Sequence, residues 1–477
     1  MILTHERQGV ERQMHNSLRF GSALLAALAP ALLLGADCGD CVGAACEDAF
    51  TGTTLSITPG STGALTTRDQ DPTLAGLRAD AALGRSWALH VSQGVLLAGA
   101  PEASTVLVLD PSQSTAASAI LGTLSSEQAD GLGAALAVSG EDLWIGAPKS
   151  SGPSRAQAAG AVWLYQGAAT GWQGALDPDT AALHVVGKDA GDHLGQTLAV
   201  CGDLDGDGQA DVLLGAPGSS AGADLGGQVV LVLSAALPEL PAEQSVDALP
   251  MSWASTQVGA SLGRALSCRD DLDGDGVADV VLGAPFGGVQ GQGAVYVLSG
   301  ATLQPGDPDQ VADWGLAGSD PQQYFGWSLA TGDLGGDGVI DVVVGAPGAD
   351  GGAGRVVTVP ATSLSSGSPS ALLLGSDTRD RLGRRVGVAD VDGDSVLDLL
   401  AGAPGHNPGG DLGTFSAGVL YAQDGATYGS WPKRFDADEL GASWFSAELE
   451  LSTGADWATG DWDGDGADDV VVLTAHD

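Results

Sequence analysis

The sequence predicts an all-β protein, a β-propeller, and three observations predict it. The first is punctuation. With 74 glycines and 22 prolines the 477 residues fall into many short pieces, while a 44% hydrophobic content supplies a large core. The second is a repeat. Gly-Ala-Pro closes an apolar strand six times, at Gly99, Gly146, Gly215, Gly283, Gly345 and Gly402, with 47 to 69 residues between successive glycines. A period of about 60 residues suits a four-stranded sheet, the blade of a propeller. The third is an aspartate-rich turn that recurs five times, each time running into an apolar strand.

Each unit reads in the same order: Leu/Phe-Gly, an alternating stretch, the aspartate loop, an apolar strand, Gly-Ala-Pro, and a further apolar strand. Asp211-Val-Leu-Leu, Asp279-Val-Val-Leu and Asp341-Val-Val-Val are short, branched and apolar, which predicts second strands buried on both faces between neighbouring blades. Ala161-Val-Trp-Leu-Tyr and Ala294-Val-Tyr-Val-Leu follow Gly-rich turns and are expected as third strands. The first two units lack the loop. Their turns, around Ser92-Gln93-Gly94 and Ser139-Gly140-Glu141-Asp142, are shortened.

The loops have calcium-ligand spacing. In the frame D-x-D-x-D-G-x-x-D, side chains at positions 1, 3, 5 and 9 and the carbonyl of position 7 converge, and Gly at position 6 permits the bend. Three loops are complete: Asp203, Asp205, Asp207 and Asp211; Asp271, Asp273, Asp275 and Asp279; Asp461, Asp463, Asp465 and Asp469. Two are degenerate. Asp333, Asp337 and Asp341 share a loop in which Gly335 replaces the position-3 carboxylate, and Asp390, Asp392, Asp394 and Asp398 share one in which Ser395 replaces the bend glycine. Weaker binding is expected at both. Polar β-turns also favour Asp and Gly, but four aspartates at this spacing, three times over, argue for Ca2+ in a structural role.

Tyr324-Phe325-Gly326 and Gly345-Ala346-Pro347, with such a loop between them, resemble the FG-GAP repeat of the integrin alpha-subunit β-propeller. The resemblance runs over residues 50–477, although most units carry Leu-Gly in place of Phe-Gly. It implies seven blades, with calcium between the first two strands of several. The loop at Asp461 opens a seventh unit, which stops after Val470-Val-Val-Leu473 with two strands. An unpaired edge there invites aggregation. Residues 51–80 are therefore expected to supply the third and fourth strands of that blade and close the ring. A glycine lies eight residues ahead of the Leu/Phe-Gly glycine at Gly187, Gly318 and Gly375, and Gly76 stands in the same relation to Gly84.

Given calcium between first and second strands, strand parity sends the second-to-third and fourth-to-first connections to the opposite rim. The long second-to-third segments 149–159, 218–226 and 405–413 make that rim the candidate ligand site, although such Gly- and Ser-rich loops also serve as plain connectors. Trp253, Trp314, Trp431 and Trp444 lie near fourth strands, where blade packing competes with sugar stacking.

Residues 1–36 read as a signal peptide: Arg7, Arg12 and Arg19 precede an apolar run from Phe20 to Leu34 and a small-residue site at Leu34-Gly35-Ala36. The run is too short for a good membrane span. A lipid anchor at Cys38 is the alternative. The tail 37–49 holds Cys38, Cys41 and Cys46, suited to a local disulfide or a metal site, while Cys201 and Cys268 either pair or stand as buried thiols. A net charge of -42 excludes nucleic acid as a partner.

No catalytic constellation emerges. Gly259-Ala260-Ser261-Leu262-Gly263 matches a nucleophile elbow but occupies the Leu-Gly position of its repeat with no helix to follow. The seven histidines form no spaced metal pair. The expectation is a secreted or cell-surface monomer, a calcium-stabilised adhesion-type module for an extracellular protein or glycan. The alternative is an extracellular hydrolase or lyase that uses the propeller as scaffold.

Overall fold

The computed structural model describes residues 180–407 without a break, and elsewhere 2–4, 54–58, 63–66, 87–90, 95–109, 120–125, 130–151, 157–167, 174–175, 418–437, 442–446, 453–461 and 465–474. Apart from residues 2–4, the expected signal peptide and the tail with Cys38, Cys41 and Cys46 lie outside these. So do the turn 92–94 and Asp463.

Strands β1 (Thr54–Thr58) and β2 (Gly63–Thr66) pair with each other and are placed below. Six blades then follow in chain order, each an antiparallel sheet of four consecutive strands. Blade 1 holds β3 (Trp87–His90), β4 (Val95–Ala100), β5 (Thr105–Leu109) and β6 (Ile120–Ser125). Blade 2 holds β7 (Ala135–Ser139), β8 (Asp142–Ala147), β9 (Ala161–Tyr165) and β10 (Leu183–Val186). Blade 3 holds β11 (Thr197–Val200), β12 (Val212–Ala216), β13 (Gln228–Val232) and β14 (Met251–Ala254). Blade 4 holds β15 (Ala265–Ser267), β16 (Val280–Ala284), β17 (Ala294–Leu298) and β18 (Trp314–Ala317). Blade 5 holds β19 (Ser328–Gly332), β20 (Asp341–Ala346), β21 (Arg355–Pro360) and β22 (Ala371–Leu374). Blade 6 holds β23 (Arg385–Ala389), β24 (Asp398–Ala403), β25 (Val419–Gln423) and β26 (Ala442–Ser446).

Six blades are thus complete in contiguous chain, against the ring of seven that was expected. The remaining sheet is composite: β27 (Asp456–Gly460) pairs with β28 (Asp469–Thr474), and β28 pairs antiparallel with β1, from Thr54 opposite Thr474 to Thr58 opposite Val470. Its strand order is β27-β28-β1-β2. β27 lies between the innermost strands of blades 6 and 1, in contact with β23 on one side and β3 on the other.

The second and third strands are buried along almost their whole length, as their branched apolar residues predict. The core is a series of interblade layers: Val162, Leu214 and Val230 between blades 2 and 3, Leu213, Leu282 and Tyr296 between 3 and 4, and Leu400, Trp457 and Val470 between blade 6 and the composite sheet.

The two glycine signatures meet at these layers. A Cβ on the Gly-Ala-Pro glycine would strike the carbonyl oxygen of the next Leu/Phe-Gly glycine: Gly146 against Gly195 at 2.0 Å, Gly283 against Gly326 at 2.3 Å, Gly345 against Gly383 at 2.1 Å. Gly326 itself has φ +86°, a backbone region that side chains disfavour. The repeat motif is therefore a blade-to-blade backbone contact, and each half needs its glycine.

Several outer edges are covered by straps, the third-to-fourth connections of following blades, whereas that of blade 6 is paired by Ile2–Thr4. Glu243–Ser245 pairs in parallel with β10, and Phe435–Asp436 with β22. A bridge from Gly306 to Trp253 does the same for blade 3. Straps of this kind remove the exposed edge that would otherwise template aggregation.

Candidate metal centres and the opposite rim

The aspartate loops connect first to second strands at one end of the blades, where the straps also begin. In the loop between β11 and β12, Asp203 Oδ1 accepts from the backbone N–H groups of Gly206 and Asp207, and Oδ2 from that of Gly208. The same pattern recurs on Asp271 with Gly274, Asp275 and Gly276, and on Asp390 with Gly393, Asp394 and Ser395. Ser395 adopts φ +69°, so it takes up the glycine conformation and the loop keeps its bend.

The position-9 aspartates are buried and tie each loop to the start of its own strap. Asp211 Oδ1 accepts from Ser234 N–H at 2.7 Å, Asp279 Oδ1 from Gly300 N–H at 2.8 Å, and Asp398 Oδ1 from Gly425 N–H at 2.8 Å. Burial pushes their carboxyls up against these donors, to about 6 for Asp279 and about 7 for Asp398. A cation beside them would offset that penalty.

A calcium site requires oxygens that converge. Ligand oxygens of Asp203, Asp205 and Asp211 lie within 4.8 Å of one another, as do those of Asp271, Asp273 and Asp275 and those of Asp390, Asp392 and Asp398. All-carboxylate, hard-oxygen sets fit Ca2+ and suit softer metals poorly. Asp424, at the start of the blade 6 strap, makes a further group with Asp392 and Asp394. The degenerate loop at Asp390 therefore retains its bend and has an additional carboxylate at hand, which sequence spacing does not reveal.

The loop at Asp333 differs. Among the described residues no group of three converging carboxylates includes Asp333, Asp337 or Asp341. Instead the side chain of Tyr428, from the blade 6 strap, covers Gly335, where a Cβ would meet it at 3.2 Å. Its hydroxyl donates to Asp341 Oδ1 at 2.6 Å and lies 2.9 Å from Ser370 Oγ. In the last loop Asp461 accepts from Asp465 and Gly466 N–H, and Asp469 is buried.

Cys201 and Cys268 pair as a disulfide, settling the alternative that their spacing left open. Each follows the innermost strand of its blade just ahead of an aspartate loop, so the bond staples blades 3 and 4 at the loop end. Closing a loop of 67 residues is worth about 4 kcal/mol in the chain-entropy account.

At the opposite rim the expected connection 218–226 is described in full, while 152–156 of the segment 149–159 and 408–413 of the segment 405–413 lie outside the described residues. Gly227 bridges Leu262, and Gly293 bridges Phe325, joining second-to-third loops to the Leu/Phe-Gly turns. Among the described residues the exposed large hydrophobics are Leu225, Val258, Phe286 and Val289, and all four sit in these connections. Ser261 lies in the turn before β15, as the repeat register requires. Trp253 is fully buried and its Nε1–H donates to Gln304 O, so it packs blades.

No helix among the described residues is long and apolar enough to cross a membrane. The FG-GAP repeat family matches residues 194–232, 263–298, 325–359 and 382–421. Each match runs from the Leu/Phe-Gly turn through the third strand of blades 3 to 6, a narrower stretch than the 50–477 expected from the motifs. The chain is 30% identical over 220 residues to a phosphatidylinositol-glycan-specific phospholipase D of Dictyostelium discoideum, covering 40% of this chain and 23% of that protein. It is 36% identical over 146 residues to integrin alpha-IIb of Mus musculus, covering 29% and 14%. It is 30% identical over 134 residues to integrin alpha-PS2 of Drosophila melanogaster, covering 27% and 9%. The chain thus spans less than a quarter of each of these relatives. The chain thus carries four FG-GAP repeats in a β-propeller fold and is similar over part of its length to integrin alpha subunits.

Proposed function

We propose that the protein is a secreted or cell-surface β-propeller of seven blades that binds an extracellular protein or glycan, with Ca2+ holding its loop end rigid. The observation that carries this reading is the division of the blades' two ends. Converging carboxylates gather at one, and the exposed large apolar side chains gather at the other. Exposed apolar patches on a soluble protein mark interaction sites. The composite sheet β27-β28-β1-β2 is then the seventh blade, closing the ring two strands plus two.

Ca2+ would be held by Asp203, Asp205, Asp207 and Asp211, by Asp271, Asp273, Asp275 and Asp279, by Asp390, Asp392, Asp394 and Asp398, and by the loop at Asp461. It supplies positive charge that neutralises clustered carboxylates. A disulfide between Cys201 and Cys268 fits an oxidising, exported setting. The chain acts as a monomer in this reading.

A second reading follows from the similarity to a phosphatidylinositol-glycan-specific phospholipase D: the propeller as scaffold of an extracellular hydrolase or lyase. Affinity capture from extracellular material, with calcium and with chelator, tests the first. A polysaccharide and lipid hydrolase screen with calcium present tests the second. Calcium-dependent capture without turnover supports the binding module, whereas turnover by the purified chain overturns it.

A further inference from the structure

We propose that the aspartate loops of blades 3 and 6 are latches worked by a divalent cation. With Ca2+ bound, each loop fastens its own blade's strap, and that strap closes the outer edge of the blade before it. This rests on the calcium reading of the loops and assigns them a regulatory role beyond rigidity.

Both straps begin on a 3-10 helix of six residues, Ser234–Glu239 in blade 3 and Gly425–Ser430 in blade 6. The first N–H groups of a helix have no acceptor within it. Neither helix is capped by the side chain of the residue before it, and the position-9 aspartate of the loop takes that place. Asp211 Oδ1 accepts from Ser234 N–H, and Asp398 Oδ1 from Gly425 N–H. The other oxygen stays with the loop: Asp211 Oδ2 accepts from Leu204 N–H at 2.8 Å, and Asp398 Oδ2 from Val391 N–H at 3.0 Å. One carboxylate therefore joins loop to strap, and in both blades it belongs to the converging group.

The straps also send side chains into the loops. Ser234 Oγ donates to Asp207 Oδ2 at 2.9 Å. Asp424, the residue ahead of the blade 6 helix, brings a carboxylate oxygen within 4.8 Å of those of Asp392 and Asp394. Its Oδ1 is buried and has no hydrogen-bond partner among the described residues. A buried carboxylate oxygen is costly to leave unpaired, and a hard cation is the partner that suits it. Without a cation, carboxylates at this separation repel one another. The loop relieves that repulsion by opening, which draws Asp211 or Asp398 away from the strap.

At their far ends the same two straps lie along the preceding blade. His184 N–H, in β10 of blade 2, donates to Ala242 O at 2.7 Å, and Leu372 N–H, in β22 of blade 5, donates to Lys433 O at 3.1 Å. These outward N–H groups keep their acceptors only while the strap is docked. Lys188 and Asp247 also hold the blade 3 strap, but such exposed pairs weigh little. Blades 2 and 5 supply contrasts. Blade 2 has no aspartate loop, yet its Gly174–Ala175 pairs with β6 of blade 1. In blade 5 the strap's first N–H, that of Ala361, donates to Ile340 O at 2.8 Å, while Asp341 takes the Tyr428 hydroxyl. That strap packs on blade 4, where a Cβ on Gly367 would lie 3.6 Å from Leu316 of β18. The edges at β6 and β18 therefore stand outside the control of a cation.

The test is amide hydrogen exchange on the full chain, resolved to single residues, in Ca2+ and in chelator and well below both melting transitions. Calorimetry records calcium binding in parallel. His184 and Leu372 are expected to exchange about tenfold faster or more in chelator, while amides of β6 and β18 change less than about twofold. In Ca2+, Asp205→Asn is expected to speed His184 alone and Asp392→Asn to speed Leu372 alone, each acting on the edge of the preceding blade. Both positions are exposed and both substitutions keep an acceptor oxygen, so a cooperative melt is retained. Calcium binding without a change at His184 and Leu372, or with equal acceleration at β6 and β18, overturns the inference and leaves the calcium reading standing. A single-loop variant that speeds both amides alike overturns it in the same way. No calcium binding overturns the reading and the inference together.

Discussion

The Tyr428 hydroxyl donates to Asp341 Oδ1 at 2.6 Å, across 87 residues of sequence and from one blade to the next. The blade 6 strap thereby puts a phenol against the blade 5 aspartate loop, whose position 3 is Gly335. Where neighbouring loops gather carboxylates, this one is closed by a side chain.

Tyr428→Phe removes a donor from a buried carboxylate, and an acceptor left short of partners costs about 1 to 3 kcal/mol. Urea melts of the calcium-free chain check this loss. The converse variant, Gly335→Asp with Tyr428→Ala, restores the missing carboxylate and vacates its place. Titration calorimetry should then record more bound calcium than in the parent chain.

Gly283 and Gly326 face each other between blades 4 and 5. A methyl at Gly283 would sit 2.3 Å from the Gly326 carbonyl oxygen, and backbone cannot move aside as a side chain can. Gly283→Ala is expected to destabilise by about 3 kcal/mol or more. Gly274→Ala, in open space at φ +81°, meets only local backbone strain and should cost less. Their melting midpoints, measured side by side, test the interblade role of the motif.

Asp192 supplies a pH test away from the metal loops. Its Oδ2 accepts from Lys188 and Asp189 N–H, yet burial outweighs these donors and raises its carboxyl above the usual 3.8. A raised folded-state value means that the native chain holds this proton longer than the unfolded one. The group's contribution is therefore full below the ordinary value and declines as pH rises through the folded one. An amide in place of this carboxyl would keep an acceptor without the charge, as Gln323 does for Ser319 in blade 5. Asp192→Asn should thus gain on the parent chain as pH rises from acid to neutral. A stability difference flat across that range would contradict it.

Much of this was legible in the sequence because the repeat encodes backbone geometry. Gly-Ala-Pro and Leu/Phe-Gly mark places where two blades touch, so their spacing alone phases β12, β16 and β20. Pairing of β1 with β28 also followed, from counting strands after Asp461. What spacing cannot carry is contact between distant repeats. Tyr428 and Asp424 lie in straps, and their roles depend on how one blade reaches another. That Ser395 adopts the left-handed bend is likewise a matter of backbone conformation, which residue spacing does not carry. Arg264 and Arg384, which both stack on Trp327, share its position in successive repeats, a signal that appears only when the units are aligned.

Closure of the ring is tested by removing residues 50–80. If β1 and β2 complete the sheet of β27 and β28, the truncated chain loses cooperative unfolding, because that sheet's two remaining strands are left with an open edge. A truncated chain that melts as sharply as the parent would show that the ends fold independently.

Calcium at the aspartate loops is what makes the loop end rigid in the proposed function. Extracellular modules bind it with Kd of roughly 10⁻⁴ to 10⁻³ M, so near-millimolar calcium adds on the order of 0.5 to 1.5 kcal/mol per occupied loop. The most direct measurement is calorimetric titration of the chelator-treated chain with Ca2+, beside thermal melts with and without the ion. Saturable binding and a clear rise in melting temperature are expected, with loss of most of both in the triple variant Asp203→Asn/Asp271→Asn/Asp390→Asn. No heat of binding, together with identical melts in calcium and in chelator, would contradict calcium at these loops.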